Sequence, residues 1–122
     1  MVKAEHSSSF SDGSYAGNAA GFIIQSPDCC FYYAGDTALT LDMQLIPLSY
    51  NLDFLFLPIG DNFTMGIEDA VRASKLTECN KVIGMHFDTF PPIEIDHKHA
   101  YDSFSNAGFN LILPLINQTF EL

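Results

Sequence analysis

The run Gly84-Met85-His86-Phe87-Asp88-Thr89-Phe90-Pro91-Pro92 constrains this chain more than any other. It follows Lys81-Val82-Ile83, whose β-branched residues fit a buried strand. Two consecutive prolines can neither donate to a ladder nor extend one, so the strand must end before them and the chain must turn. His86 is thereby placed at a strand terminus beside a loop, where an imidazole can ligate a metal. A core or surface histidine is the competing reading of that residue taken alone. Two further strand ends carry residues of the same kind, His6 and Asp36.

Elsewhere the punctuation of apolar runs predicts the order of elements. A short strand spans residues 2–6, and residues 7–18, rich in Ser and Gly, form a surface loop. Strands over 19–25 and 29–34, separated by Ser26-Pro27-Asp28, read as a hairpin. Residues 41–50 have partial helical spacing that Pro47 cuts short. The run 52–58 is a strongly apolar strand, and Thr64 is expected to cap a helix reaching about Cys79. Asp96 caps a further helix to about Ala107, which Gly108 closes. Strands over 111–113 and 119–122 complete an α/β arrangement with helices on one side of a mixed sheet. A length of 122 residues fits one domain.

Charge excludes some partners. With five basic residues and a net charge of −10, no Lys/Arg cluster exists to neutralise phosphates, so neither nucleic acid nor an anionic membrane surface is expected as a partner. The longest apolar stretch is far short of the roughly 20 residues a membrane-spanning helix needs. Cys29, Cys30 and Cys79 cannot build a closed disulfide framework, which fits a reduced, cytoplasmic setting.

His6, Asp36 and His86 each close an expected strand and open a loop. Ligands collect at the carboxyl ends of strands in open α/β sheets. Two imidazoles with one carboxylate suit zinc, and also manganese or iron. An aspartate after a strand also reads as a nucleophile, or more commonly as a turn cap. His97 and His99 read as solvated helix residues, because positions two apart on a helix face different directions.

The segments HSSSF (from His6), YYAGDTAL (from Tyr32), LPIGDNFTMGIEDA (from Leu57) and GMHFDTFPPI (from Gly84) resemble the metallo-β-lactamase superfamily of metal-dependent hydrolases. Within it they are most similar to a small branch that also looks like the ascorbate-phosphate lactonases. The resemblance implies a four-layer αββα sandwich holding two divalent metals, zinc first among them. It implies that the histidine matching His6 completes one metal site, that Asp36 bridges both metals as the catalytic carboxylate, and that His86 completes the second site. The metals would activate water for attack on an ester, lactone, amide or phosphodiester. Asp61, Thr64 and Asp88 match loops that support the ligands or contact substrate.

The superfamily's H-x-H-x-D-H signature is absent from this sequence. The only echo, His97-Lys98-His99-Ala100-Tyr101-Asp102, lies in an expected helix with its aspartate one place late. The expectation is therefore a C-terminal half of such a fold, lacking the N-terminal half and inactive by itself. The alternative is a non-catalytic half-domain whose uncovered sheet face, with Phe22, Ile24, Phe54, Phe56 and Ile83, pairs with a second copy or docks to a partner.

Overall fold

The structure, a computed structural model, describes residues 1–117, 119 and 121. Its strands are β1 (Val2–Lys3), β2 (Ala20–Gln25), β3 (Cys30–Tyr33), β4 (Phe54–Pro58), β5 (Lys81–Met85) and β6 (Asn110–Ile112). Two α-helices, α1 (Ile67–Leu76) and α2 (His97–Asn106), accompany short 3-10 turns at Leu41–Leu45 and Pro91–Ile93. The expected strand over 119–122 involves residues outside those described.

Among the described residues the strands form one mixed sheet in sequence order, β1-β2-β3-β4-β5-β6. β1 runs antiparallel to β2 and β2 antiparallel to β3, so β1 and β3 point the same way. β3, β4, β5 and β6 are parallel neighbours. The carboxyl ends of β1, β3, β4 and β5 consequently share one edge of the sheet. That edge holds every residue of the site described below.

One face of the sheet is covered by both helices. Tyr32, Leu55, Leu57, Val82 and Leu111 pack there with Ala70 and Val71 of α1 and Ala100 and Phe104 of α2. The opposite face carries the alternating residues of the same strands, as a period of two requires. Phe22 and Ile24 are exposed there, as expected. Phe54 and Ile83 are not: they keep only 8% and 1% of their accessible surface. Phe31 stacks on Phe54 with ring centroids 4.8 Å apart, and Phe56 meets both rings at 5.8 Å. The aromatic strip thus covers its own centre, and exposure is confined to its margin.

Helix starts show which cap signals hold. Asp96 caps α2 as expected, its carboxylate accepting from the His99 amide at 3.0 Å. Thr64 does not cap α1. The N-cap is Gly66, without a side-chain hydrogen bond, and the helix stops at Leu76 rather than near Cys79. The reason lies in the preceding loop. Asp61 and Asn62 both adopt left-handed backbone, and the Asp61 amide donates to Met65 O at 3.1 Å, which uses Thr64 inside a tight turn. The segment 41–50 is a 3-10 turn ending at Leu45, shorter than an α-helix, as Pro47 demands.

Candidate metal centre

Four strand ends supply this site. β5 finishes at Met85, and His86 follows with a φ of 55°, a left-handed conformation that costs about 1–3 kcal/mol in a non-glycine residue. Gly60, just beyond β4, makes that conformation possible by proximity. A Cβ built on Gly60 would lie 2.2 Å from the His86 carbonyl oxygen, so only glycine lets the two strand ends pack this closely. β3 delivers Asp36 through Ala34 and Gly35, and β1 delivers His6 through Ala4 and Glu5.

Thr37 ties these ends together. Fully buried, its hydroxyl accepts from the Glu5 amide at 2.9 Å and donates to Ala38 O at 2.8 Å. Its carbonyl accepts from the Met65 amide at 3.0 Å, while the Ala38 amide donates to Glu5 O at 3.0 Å. The ends bearing His6 and Asp36 are thereby joined to each other and to the loop after β4.

Asp36 Oδ2 lies 3.6 Å from His86 Nε2. That is long for a charge-assisted hydrogen bond. Two donors bound at about 2.0–2.2 Å with a tetrahedral angle between them sit roughly 3.4 Å apart, so the spacing suits two ligands of one metal. His86 Nδ1 is buried without a hydrogen-bond partner, leaving Nε2 as the nitrogen directed at the carboxylate. His6 enters the same open groove of about 590 Å³, which Glu5, Ser7, Asn62, Phe63 and Phe90 also border. Its Nδ1 donates to the Ser7 carbonyl at 2.8 Å. A carbonyl can only accept, so Nδ1 carries a proton, and in the neutral ring the lone pair lies on Nε2, the tautomer a metal-binding imidazole uses. Asp36 and His86 thus have the spacing and chemistry of two ligands of one divalent cation, while among the described residues no group of three or more His, Cys, Asp or Glu side chains is arranged to hold a metal ion.

The loop after β5 is braced by Asp88. Its amide donates to Ile93 O at 2.9 Å, and its Oδ1 accepts from the Ile95 amide at 2.9 Å. His97 Nε2 meets Oδ2 at 2.5 Å. Desolvation is the largest single influence on Asp88 and acts to raise its pKa, but the His97 and Ile95 hydrogen bonds outweigh it and hold the carboxyl below its ordinary value. Asp61 lies against Gly66, with Cγ 3.2 Å from where a Cβ there would stand, so its carboxylate faces the start of α1. Thr64 turns its hydroxyl back to Met65 O at 3.4 Å.

His97 and His99 are solvent-exposed residues of α2, as expected, and each also has a carboxylate partner. His97 braces Asp88, and His99 Nε2 donates to Glu68 Oε1 at 2.8 Å, joining α2 to α1. Neither borders the groove. Sequence reasoning overlooked Thr37, Gly60, Asn62, Phe63 and Phe90. One signal was available: a Phe inside the polar loop Gly60-Asp61-Asn62-Phe63, and another just before two prolines, have no strand or helix to bury them.

The chain is similar to known proteins throughout its length. It is 54% identical over 121 residues to a UPF0173 metal-dependent hydrolase of Christiangramia forsetii, covering 99% of this chain and 54% of that protein. A protein of the same description from Flavobacterium johnsoniae is 53% identical over 121 residues, again with 99% and 54% covered. Among solved structures, the metallo hydrolase Igni18 of Ignicoccus hospitalis superposes with a TM-score of 0.83 at 36% identity, covering 98% of this chain and 51% of that one. The chain spans about half the length of the curated relatives it matches. Residues 1–87 match the family described as the beta-lactamase superfamily domain. With that match, and with the mixed sheet of the metallo-β-lactamase fold beneath it, the chain belongs to the beta-lactamase superfamily.

Proposed function

We propose that the groove is the C-terminal share of a hydrolytic metal centre, with His6, Asp36 and His86 as ligands and zinc as the metal, manganese and iron being the alternatives. The observation that carries this reading is the 3.6 Å approach of Asp36 Oδ2 to His86 Nε2 at the ends of two strands. A divalent metal, when bound, polarises a carbonyl or phosphoryl oxygen and acidifies water. This chain's part is to hold donors for it. Asp36 offers a carboxylate at the groove, His86 offers Nε2 from a strand end fixed against Gly60, and His6 offers Nε2 with its proton parked on Nδ1. Asp88 keeps the His86 loop in place, and Asp61 and Thr64 shape the neighbouring turn.

In this reading the complete enzyme cleaves an ester, lactone or phosphodiester, and its other ligands come from an N-terminal half bearing the H-x-H-x-D-H signature. The isolated chain is then catalytically silent. Calorimetric titration with zinc tests the site: binding is expected, with loss on His6→Ala, Asp36→Ala or His86→Ala. Stoichiometric zinc retained by the triple variant would place the site elsewhere.

A second reading rests on the exposed margin of the sheet face opposite the helices, where Phe22, Ile24 and Tyr33 meet solvent. A half-domain that pairs its face with a second copy, or with the N-terminal half, would cover it. The three cysteines, unpaired in the structure, fit a reducing cytoplasmic compartment for either reading. Among the described residues no helix is long and apolar enough to cross a membrane.

A further inference from the structure

Phe63 and Phe90 come from different loops, one after β4 and one after β5, yet their rings lie side by side with centroids 6.0 Å apart and planes inclined by 30°. Both face water, with 56% and 43% of their surface accessible, and both border the groove that holds His6, Asp36 and His86. They are held there rather than left to drift. The left-handed residues Asp61 and Asn62 turn the first loop outward, and the Asn62 side-chain amide donates to the Pro92 carbonyl, tying the first loop to the second. The Ile93 amide donates to Phe90 O at 3.0 Å. Isolated exposed aromatics are ordinary, but two braced against each other beside a candidate ligand set make a flat apolar wall.

Charge around the groove points the same way. Its described lining includes the carboxylates of Glu5 and Asp36 and contains no Lys or Arg. Apart from a metal, which would engage carbonyl and phosphoryl oxygens alike, phosphoryl groups are held by Arg or Lys forks or by open helix N-termini. The helix that follows this loop, α1, already has the Asp61 carboxylate against its N-cap Gly66. Glu5 is paired with Lys3 at 3.1 Å, so a second anionic group would meet repulsion chiefly from Asp36 and, at the start of α1, from Asp61. The groove's volume of about 590 Å³ suits a small molecule.

We propose that this site acts on neutral acyl compounds bearing a flat apolar substituent, aryl esters, lactones or amides rather than phosphodiesters, and that Phe63 and Phe90 select them. The proposal rests on the hydrolytic reading above and narrows its substrate class. The carbonyl lies toward Asp36 and His86, and the aryl group lies on the two rings. In hydrolysis the oxygen of water bonds to the carbonyl carbon, the acyl C–O or C–N bond breaks, and the proton from water goes to the leaving oxygen or nitrogen. No oxidant or reductant is needed.

Acetanilide, N-methylacetamide and phenyl phosphate serve as probes, titrated into the whole chain with and without zinc and followed by NMR. Acetanilide is expected to shift the ring resonances of Phe63 and Phe90 and to bind roughly tenfold tighter than N-methylacetamide, the effect of one good aromatic contact. The double variant Phe63→Ala/Phe90→Ala should lose that preference while zinc affinity, read by calorimetry, stays unchanged. Phe63→Leu/Phe90→Leu, which keeps the apolar volume, should retain part of it. Equal binding of the two amides, or tighter binding of phenyl phosphate, in a chain that still takes up zinc would overturn the proposal and leave the metal reading intact. A chain that takes up no zinc but keeps the aryl preference at Phe63 and Phe90 would overturn the metal reading and support the aromatic wall.

Discussion

The amide of Glu5 donates to the buried hydroxyl of Thr37 across 2.9 Å, joining the ends of two strands that are not neighbours in the sheet. With the Ala38 amide's bond to Glu5 O, this side chain sets the separation of the strand ends that carry His6 and Asp36. Replacing Thr37 by Val preserves its shape but removes both the acceptor and the donor. An unsatisfied buried amide costs about 1–3 kcal/mol. Urea denaturation should show a loss of that size, and calorimetry should show weaker zinc binding; Thr37→Ser should recover most of both. Unchanged zinc affinity in Thr37→Val would mean that the hydroxyl does not position the ligands.

Gly60→Ala is the sharper test of His86. The added Cβ would fall 2.2 Å from a backbone oxygen, which cannot swing away as a side-chain tip could. Overpacking of this kind costs about 1–3 kcal/mol. The expected outcome is a lower melting temperature together with a displaced His86 ring signal in NMR spectra. Gly13→Ala, whose new Cβ meets nothing within 4 Å but whose φ is 84°, shows the contrasting cost of backbone strain without a clash, since Gly60 is not left-handed.

Acid should loosen the junction of the helices before it reaches the core. The Glu68 carboxyl is held below its ordinary value of 4.5, first by the backbone amide at its own position and then by the hydrogen bond from His99. A depressed carboxylate contributes stability that is fully present above its unfolded value and disappears as pH falls through its folded one. Glu68→Gln should therefore be less stable than the parent in urea at neutral pH. The difference should shrink as pH drops below 4.5. A gap that stays constant down to about pH 3 would show that the ionised carboxylate is not what matters.

The exposed margin of the aromatic face predicts association. Phe22, Ile24 and Tyr33 form the uncovered border, and apolar area returns roughly 25 cal/mol per Å² when removed from water. Light scattering at micromolar concentration is expected to report a dimer, and Ile24→Lys should shift it to monomer. A compact monomer that binds no hydrophobic dye would speak against pairing through this face.

Much of the scaffold is readable from local chemistry. The unbroken run Phe54-Leu55-Phe56-Leu57-Pro58 can only be a strand buried on both sides, and Asp96 has the right residue type and place for a cap that the structure uses. Thr64 has the same credentials and fails, because the two left-handed residues ahead of it set the chain's direction first. That His6 belongs with Asp36 and His86 is suggested by strand ends, but their shared edge depends on β1 running parallel to β3, a relation passed through two antiparallel pairings. Thr37, Gly60 and the Phe63–Phe90 pair matter only through residues distant in sequence, and no local pattern marks such contacts.

The brace at Asp88 also fixes what a metal would have to do on arrival. A loop held at both ends by its own aspartate, through Ile93 and Ile95, has spent its ordering entropy during folding. If His86 is a ligand as proposed, it would meet a cation without a loop to freeze, and little of the binding free energy would be lost to ordering. Hydrogen exchange gives this a visible signature. The amides of Asp88 and Ile95 should exchange at similar, slow rates in the metal-free and metal-loaded chain. With Asp88→Ala they should exchange fast in the metal-free chain and slow down only as zinc is added.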